Sequence, residues 1–101
     1  MHEMLGRIVY SKSGRDKGKM FVIIGIVDEN FVLLADGDLR KIENPKLKSI
    51  KHLQMTNMIA EDILTMINKG VLPDNHIIKK ILRNTQETRE RAGRRSDNGE
   101  R

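Results

Sequence analysis

Apolar residues in the first half of the chain come in short runs separated by turn-forming residues. Ile8–Tyr10 is the first run and Met20–Val27 the longest; Phe31–Ala35, Leu39–Ile42 and Ile50–Leu53 follow. Runs of this length, rich in β-branched residues and bounded by Gly, Asp and Asn, predict strands. Asp28-Glu29-Asn30 and Asp36-Gly37-Asp38 carry tight-turn chemistry, so Met20–Val27 and Phe31–Ala35 read as a hairpin. Pro45 belongs in a loop, because it has no N–H for a central ladder. Roughly five short strands with no helix between them predict a small barrel, since closing a sheet removes its exposed edges.

The period then lengthens. Ile59, Ile63, Met66 and Ile67 recur at helical spacing, with Thr56 or Asn57 as the cap and Glu61 and Asp62 in the first turns. Lys69 and Gly70 close this helix. Pro73-Asp74 opens a second one, with Asp74 as N-cap. Its apolar face is Ile77, Ile78, Ile81 and Leu82, with Lys79, Lys80 and Arg83 on the other. The two helices are expected to pack on the barrel; the alternative is a docking surface for a partner. Thr85–Arg101 holds five Arg and four acids with no apolar period, which predicts a disordered basic tail or a frayed helix extension. Its Arg-Ala-Gly-Arg-Arg stretch, residues 91–95, is similar to arginine-rich segments that order on RNA. The expected organisation is a mainly β domain over residues 1–55, a helical hairpin over 56–84 and a flexible tail over 85–101.

Charge narrows the class of partner. The 101 residues carry a formal net charge of +5 and a pI of about 9.7, which attracts polyanions, nucleic acid or an anionic membrane surface. There is no Cys, hence no disulfide framework and no zinc knuckle, and a cytoplasmic setting is expected. No apolar run reaches the ~18 residues of a membrane span. Met1 to Leu5 lacks a secretory pattern, and Met4 is an alternative start.

The most informative segment is Gly6 to Gly37. Between two predicted strands lies Gly14-Arg15-Asp16-Lys17-Gly18-Lys19. Glycines let such a loop turn sharply and approach a phosphate, and Lys12, Arg15, Lys17 and Lys19 supply cations. The strand–basic loop–strand–turn–strand pattern resembles a KOW motif. The wider pattern resembles the archaeal and eukaryotic large-subunit ribosomal proteins of the "L fourteen-e" type. It is carried by Gly6-Arg7, Gly14-Arg15 with Gly18, Asp28, Asn30-Phe31-Val32-Leu33, Asn44 and His52-Leu53 with Thr56. The resemblance spans about residues 5–56. It implies an SH3-like β-barrel and RNA, ribosomal RNA of the large subunit, as partner. The implied RNA-binding set is Arg7, Lys12, Gly14, Arg15, Lys17, Gly18 and Lys19. A second cluster, Arg40, Lys41, Lys46, Lys48 and Lys51, is expected to extend it. Many KOW motifs carry Gly near Met20 or Phe21; this chain does not, which points to the ribosomal branch.

No catalytic constellation competes with this reading. His2, His52 and His76 are scattered, no phosphate-loop or dinucleotide fingerprint is present, and Asp36 and Asp38 read as turn residues. A non-enzymatic protein with no cofactor, metal or small-molecule substrate is expected. Phe21 and Phe31 are expected in the core, which leaves Tyr10 as the one stacking residue, so binding should run through phosphate contacts and shape. The alternative function is a protein-interaction module of a transcription or translation complex, as KOW domains of the NusG family are. Its partners would be ribosomal proteins or the transcription machinery. A membrane-surface role is weakest, since neither helix joins a basic face to aromatic anchors.

Overall fold

The computed structural model describes residues 4–99, with side chains as far as residue 89. Expectations about Met1 to Glu3, including His2, and about Glu100 and Arg101 lie outside the described residues. Five strands, β1 (Arg7–Ser11), β2 (Met20–Ile26), β3 (Phe31–Ala35), β4 (Lys46–Ser49) and β5 (Leu53–Ile59), precede two helices, α1 (Glu61–Asn68) and α2 (Asn75–Gly99). The strands form one antiparallel sheet in the order β4-β3-β2-β1-β5.

The unbroken apolar run of β2 has a direct cause: both faces of the sheet are buried. Side chains alternate across a strand, so neighbours in sequence enter different cores. Met20 and Val22, with Ile8 and Ala35, meet Ala60 and Ile63 and then Ile78 and Leu82 of α2. Phe21 and Ile23, with Val9, Val32, Leu34 and Leu53, form a second core on the other face. Most of these side chains are fully buried, each contributing about 1.5–3 kcal/mol. The helical pair therefore packs on the sheet, as its apolar faces predict.

The expected closure of the sheet is corrected. Among the described residues, β4 and β5 share no ladder and remain its two edges. A 3₁₀ turn, Ile50–His52, carries the chain between them. The expected strand Leu39–Ile42 is a turn as well. The Asp36 carboxylate accepts the N–H groups of Asp38 and Arg40 at 2.9 and 2.8 Å, and the Asp36 and Gly37 N–H groups donate to the Arg40 carbonyl. These backbone groups are used locally and have nothing left for a ladder. The strand lies instead at Lys46–Ser49, directly after Pro45.

Thr56 is not a helix cap. It lies within β5, where its hydroxyl donates to the Ile8 carbonyl at 2.6 Å and accepts the Met58 N–H at 3.1 Å. It thereby satisfies backbone groups beside the register shift between Arg7 and Val9. The helix begins later, after Ala60. Asp74 does cap α2, its carboxylate accepting the His76 N–H at 2.8 Å.

Of the two readings of the tail, a disordered segment or a helix extension, the backbone takes the second over most of its length, since α2 continues to Gly99. Gln, Glu, Arg and Ala dominate residues 86–95, and their high helix propensity lets the backbone continue without an apolar stripe.

Candidate nucleic-acid interface

The loop between β1 and β2 is the most basic connection in the sheet, and it is fastened from within. Gly14 and Gly18 both take positive φ, +82° and +86°, a conformation that costs other residues. The Gly18 N–H returns to the Ser11 carbonyl at 2.8 Å and the Lys19 N–H to the Asp16 carbonyl at 2.9 Å. The Lys12 N–H donates to the His52 carbonyl at 2.8 Å, tying the loop to the 3₁₀ turn.

Asp16 is the centre of this fastening. It is the one acid between Lys12 and Lys19, and it is buried. Its Oδ1 accepts from the Ser11 hydroxyl at 2.7 Å and from the Lys48 ammonium at 3.1 Å. Its Oδ2 makes no hydrogen bond and has the Lys46 ammonium at 3.4 Å. Burial alone pushes this carboxyl up, but the Ser11 hydroxyl and the two ammonium groups outweigh it and hold the pKa at about 2. Lys48 also donates to the Ser13 carbonyl at 3.1 Å. The loop is thus pinned to β4 and to the 3₁₀ turn, across the gap that the ladder leaves open.

The two expected basic clusters are only partly brought together. Lys12, Arg15, Lys17 and Lys19 are exposed on the loop. Arg40 joins Arg15 and Lys19 around a cleft of about 200 Å³ between the loop and the β3–β4 turn. Lys51 is exposed on the 3₁₀ turn, next to His52, which receives the Lys12 N–H. Lys41 is exposed beside Glu43. Lys48 is buried against Asp16 and has no ammonium to offer a phosphate, and Lys46 shares that carboxylate. Arg7 stands at the far end of β1, half-buried, and donates to the Thr56 carbonyl at 2.6 Å.

The aromatic assignment holds for Phe21 and fails for Phe31. Phe21 is in the core as expected, but Phe31 is 39% exposed. Tyr10 is packed against the helix-side core, with the Arg89 guanidinium 5.5 Å from its ring centroid. The ring that sequence reasoning offered for stacking is half-buried against the helix-side core, and one assigned to the core is partly exposed. Sequence reasoning also missed Ser11 and Asp16 as anchors; a lone acid inside a basic loop was the available signal. Among the described residues no group of three or more His, Asp or Glu could hold a metal ion, and no helix is long and apolar enough to cross a membrane.

No family model matches the chain. It is 30% identical over 89 residues to large ribosomal subunit protein eL14 of Desulfurococcus amylolyticus, an alignment covering 76% of this chain and 92% of that protein. The eL14 of Staphylothermus marinus is 27% identical over 77 residues, 76% of this chain and 74% of that one. YbzG of Bacillus subtilis, whose name describes it as a candidate ribosome-binding protein, is 29% identical over 66 residues, 65% of this chain and 89% of its own.

Proposed function

The chain belongs to the family of large ribosomal subunit protein eL14, and from that premise we propose that it binds ribosomal RNA of the large subunit through the β1–β2 loop. In this reading the sheet is a KOW-type, SH3-like barrel left open at one seam. The protein is a non-enzymatic cytoplasmic ribosome component or ribosome-binding factor, and ribosomal proteins are its neighbours.

The observation that carries the reading is the division of labour among the loop's charges. Asp16 takes Lys46 and Lys48 inward, while Lys12, Arg15, Lys17 and Lys19 remain exposed on a backbone already fixed by internal hydrogen bonds. A loop ordered before binding loses less entropy when it meets a phosphate chain. Arg15 and Arg40 add forked donors that grip a phosphate with two bonds or stack on an unpaired base. Phosphate contacts position the protein and make its affinity fall steeply with salt.

The test is binding to large-subunit ribosomal RNA over a salt series, comparing the wild type with Arg15→Ala/Lys17→Ala/Lys19→Ala. The salt slope should flatten by about 0.7–0.9 for each phosphate that the variant no longer neutralises. An unchanged affinity and slope would remove the loop from the interface. On sucrose gradients the wild type should travel with large subunits and leave them at high salt.

A further inference from the structure

A strand at the rim of a sheet offers unpaired N–H and C=O groups to any extended chain, and natural sheets commonly guard such rims with lysine. β4 has the lysines but not the guard. Lys46 and Lys48 pair with Leu34 and Val32, whose side of the sheet is the inner core, and both ammonium groups turn onto Asp16. Leu47, between them, faces the opposite way and is 56% exposed. Phe31 lies across from Ser49 in the same register and is 39% exposed. The two line one groove with Ile50, Lys51 and His52. Among the described residues no strand pairs with this side of β4.

We infer that the free side of β4 receives an extended polypeptide segment of alternating acidic and apolar residues as a sixth strand, its apolar side chains seated on Phe31 and Leu47. The repeating backbone donors and acceptors match a second strand in register, which a sugar–phosphate chain does not. The charge leans the same way: Lys46 and Lys48 share one carboxylate, Asp16, so one positive charge is left over, and Lys51 adds a second, while Glu29 alone among the groove-lining residues is acidic. The groove adjoins the β1–β2 loop through Lys46, Lys48 and His52, which touch Asp16, Ser13 and Lys12, so the test reads Phe31 and Leu47, which stand apart from the loop's exposed cations.

The experiment titrates the ¹⁵N-labelled full chain with an acetylated octapeptide alternating glutamate and valine. Backbone signals of Phe31 and Lys46–Ser49 should shift, and amide exchange in β4 should slow. An N-methylated version of the peptide, unable to form the ladder, and the Leu47→Asp protein should each bind roughly tenfold more weakly. Leu47 is exposed, so the variant's spectrum should otherwise match the wild type; Leu47→Lys, which restores a guard, gives a second reading. Shifts located elsewhere, equal binding by the N-methylated peptide, or no binding at millimolar peptide would overturn the inference. So would oligouridylate perturbing Phe31 and Leu47 in the peptide's place.

Discussion

The Asp16 carboxylate accepts from the Lys48 ammonium at 3.1 Å, joining positions 32 residues apart in sequence. Asp16→Ala should leave Lys48 buried without its counter-charge and cost about 2–4 kcal/mol, measured by urea unfolding. The pH dependence follows from the depressed pKa. Asp16 falls from the ordinary aspartate value of 3.8 to about 2, so its charged form is the one that folding favours. Its contribution, on the order of 2 kcal/mol, is present above about pH 4 and lost as pH falls towards 2. Asp16→Asn should flatten the stability profile across that window; an unchanged profile would mean the pair is not formed in solution.

Lys48 and Lys17 differ in burial, and that should separate two measurements. Lys48→Ala strips the Asp16 carboxylate of a buried partner and should lower stability by about 1–3 kcal/mol. Lys17→Ala, on the exposed loop, should leave stability within about 0.5 kcal/mol. It should instead weaken binding to large-subunit RNA and flatten the salt slope by about 0.7–0.9, the share of a single phosphate.

Gly37 tests how α2 is seated. It has φ +79°, and a Cβ there would overlap the Asn75 carbonyl oxygen and lie 2.9 Å from the Lys79 nitrogen. Asn75 holds the same turn from the other side, its Oδ1 accepting the Ile42 N–H at 2.7 Å and its amide donating to Glu43 at 2.9 Å. Gly37→Ala should therefore cost more than about 3 kcal/mol, because the clash is with backbone that cannot swing aside. Thermal melting is the check, and a shift of only a degree or two would refute the close approach.

Phe21, Phe31 and Tyr10 should respond to truncation in the order of their burial. Phe21→Ala should cost about 3–5 kcal/mol or prevent folding. Phe31→Ser should cost about 1 kcal/mol or less, since the ring is half in water. Tyr10→Ala should lower stability by about 2 kcal/mol and leave RNA affinity unchanged, because α2 and not a base covers the ring. A loss of RNA affinity without a loss of stability would contradict that placement.

Much of the architecture was legible in the sequence. The Met20–Val27 run fits a buried strand, and the apolar face of α2 fits either packing on the sheet or docking of a partner; Ile78 and Leu82 lie against the sheet. What escaped was polarity pointing inward. Lys46-Leu47-Lys48-Ser49 alternates as a strand should, but the usual rule turns its lysines to water and its leucine to the core. Here the alternation is inverted, because a buried aspartate 30 and 32 residues away in sequence attracts both ammonium groups. That partner is invisible to any local window. The same inversion misassigned Phe31, whose apolar run looks uniform until the register shows which residues face the covered side. Leu39–Ile42 resembled a strand because its turn is sealed by the Asp36 side chain, an interaction that composition does not reveal.

The sheet is a wall shared by two interiors, and this bears on where the chain can be cut. Removing everything after residue 55 would spare the inner core apart from the end of β5. It would bare Ile8, Met20, Val22 and Ala35 to water as one contiguous oily plate. A molecule shortened in this way would be expected to clump through that plate before the basic loop could meet any nucleic acid.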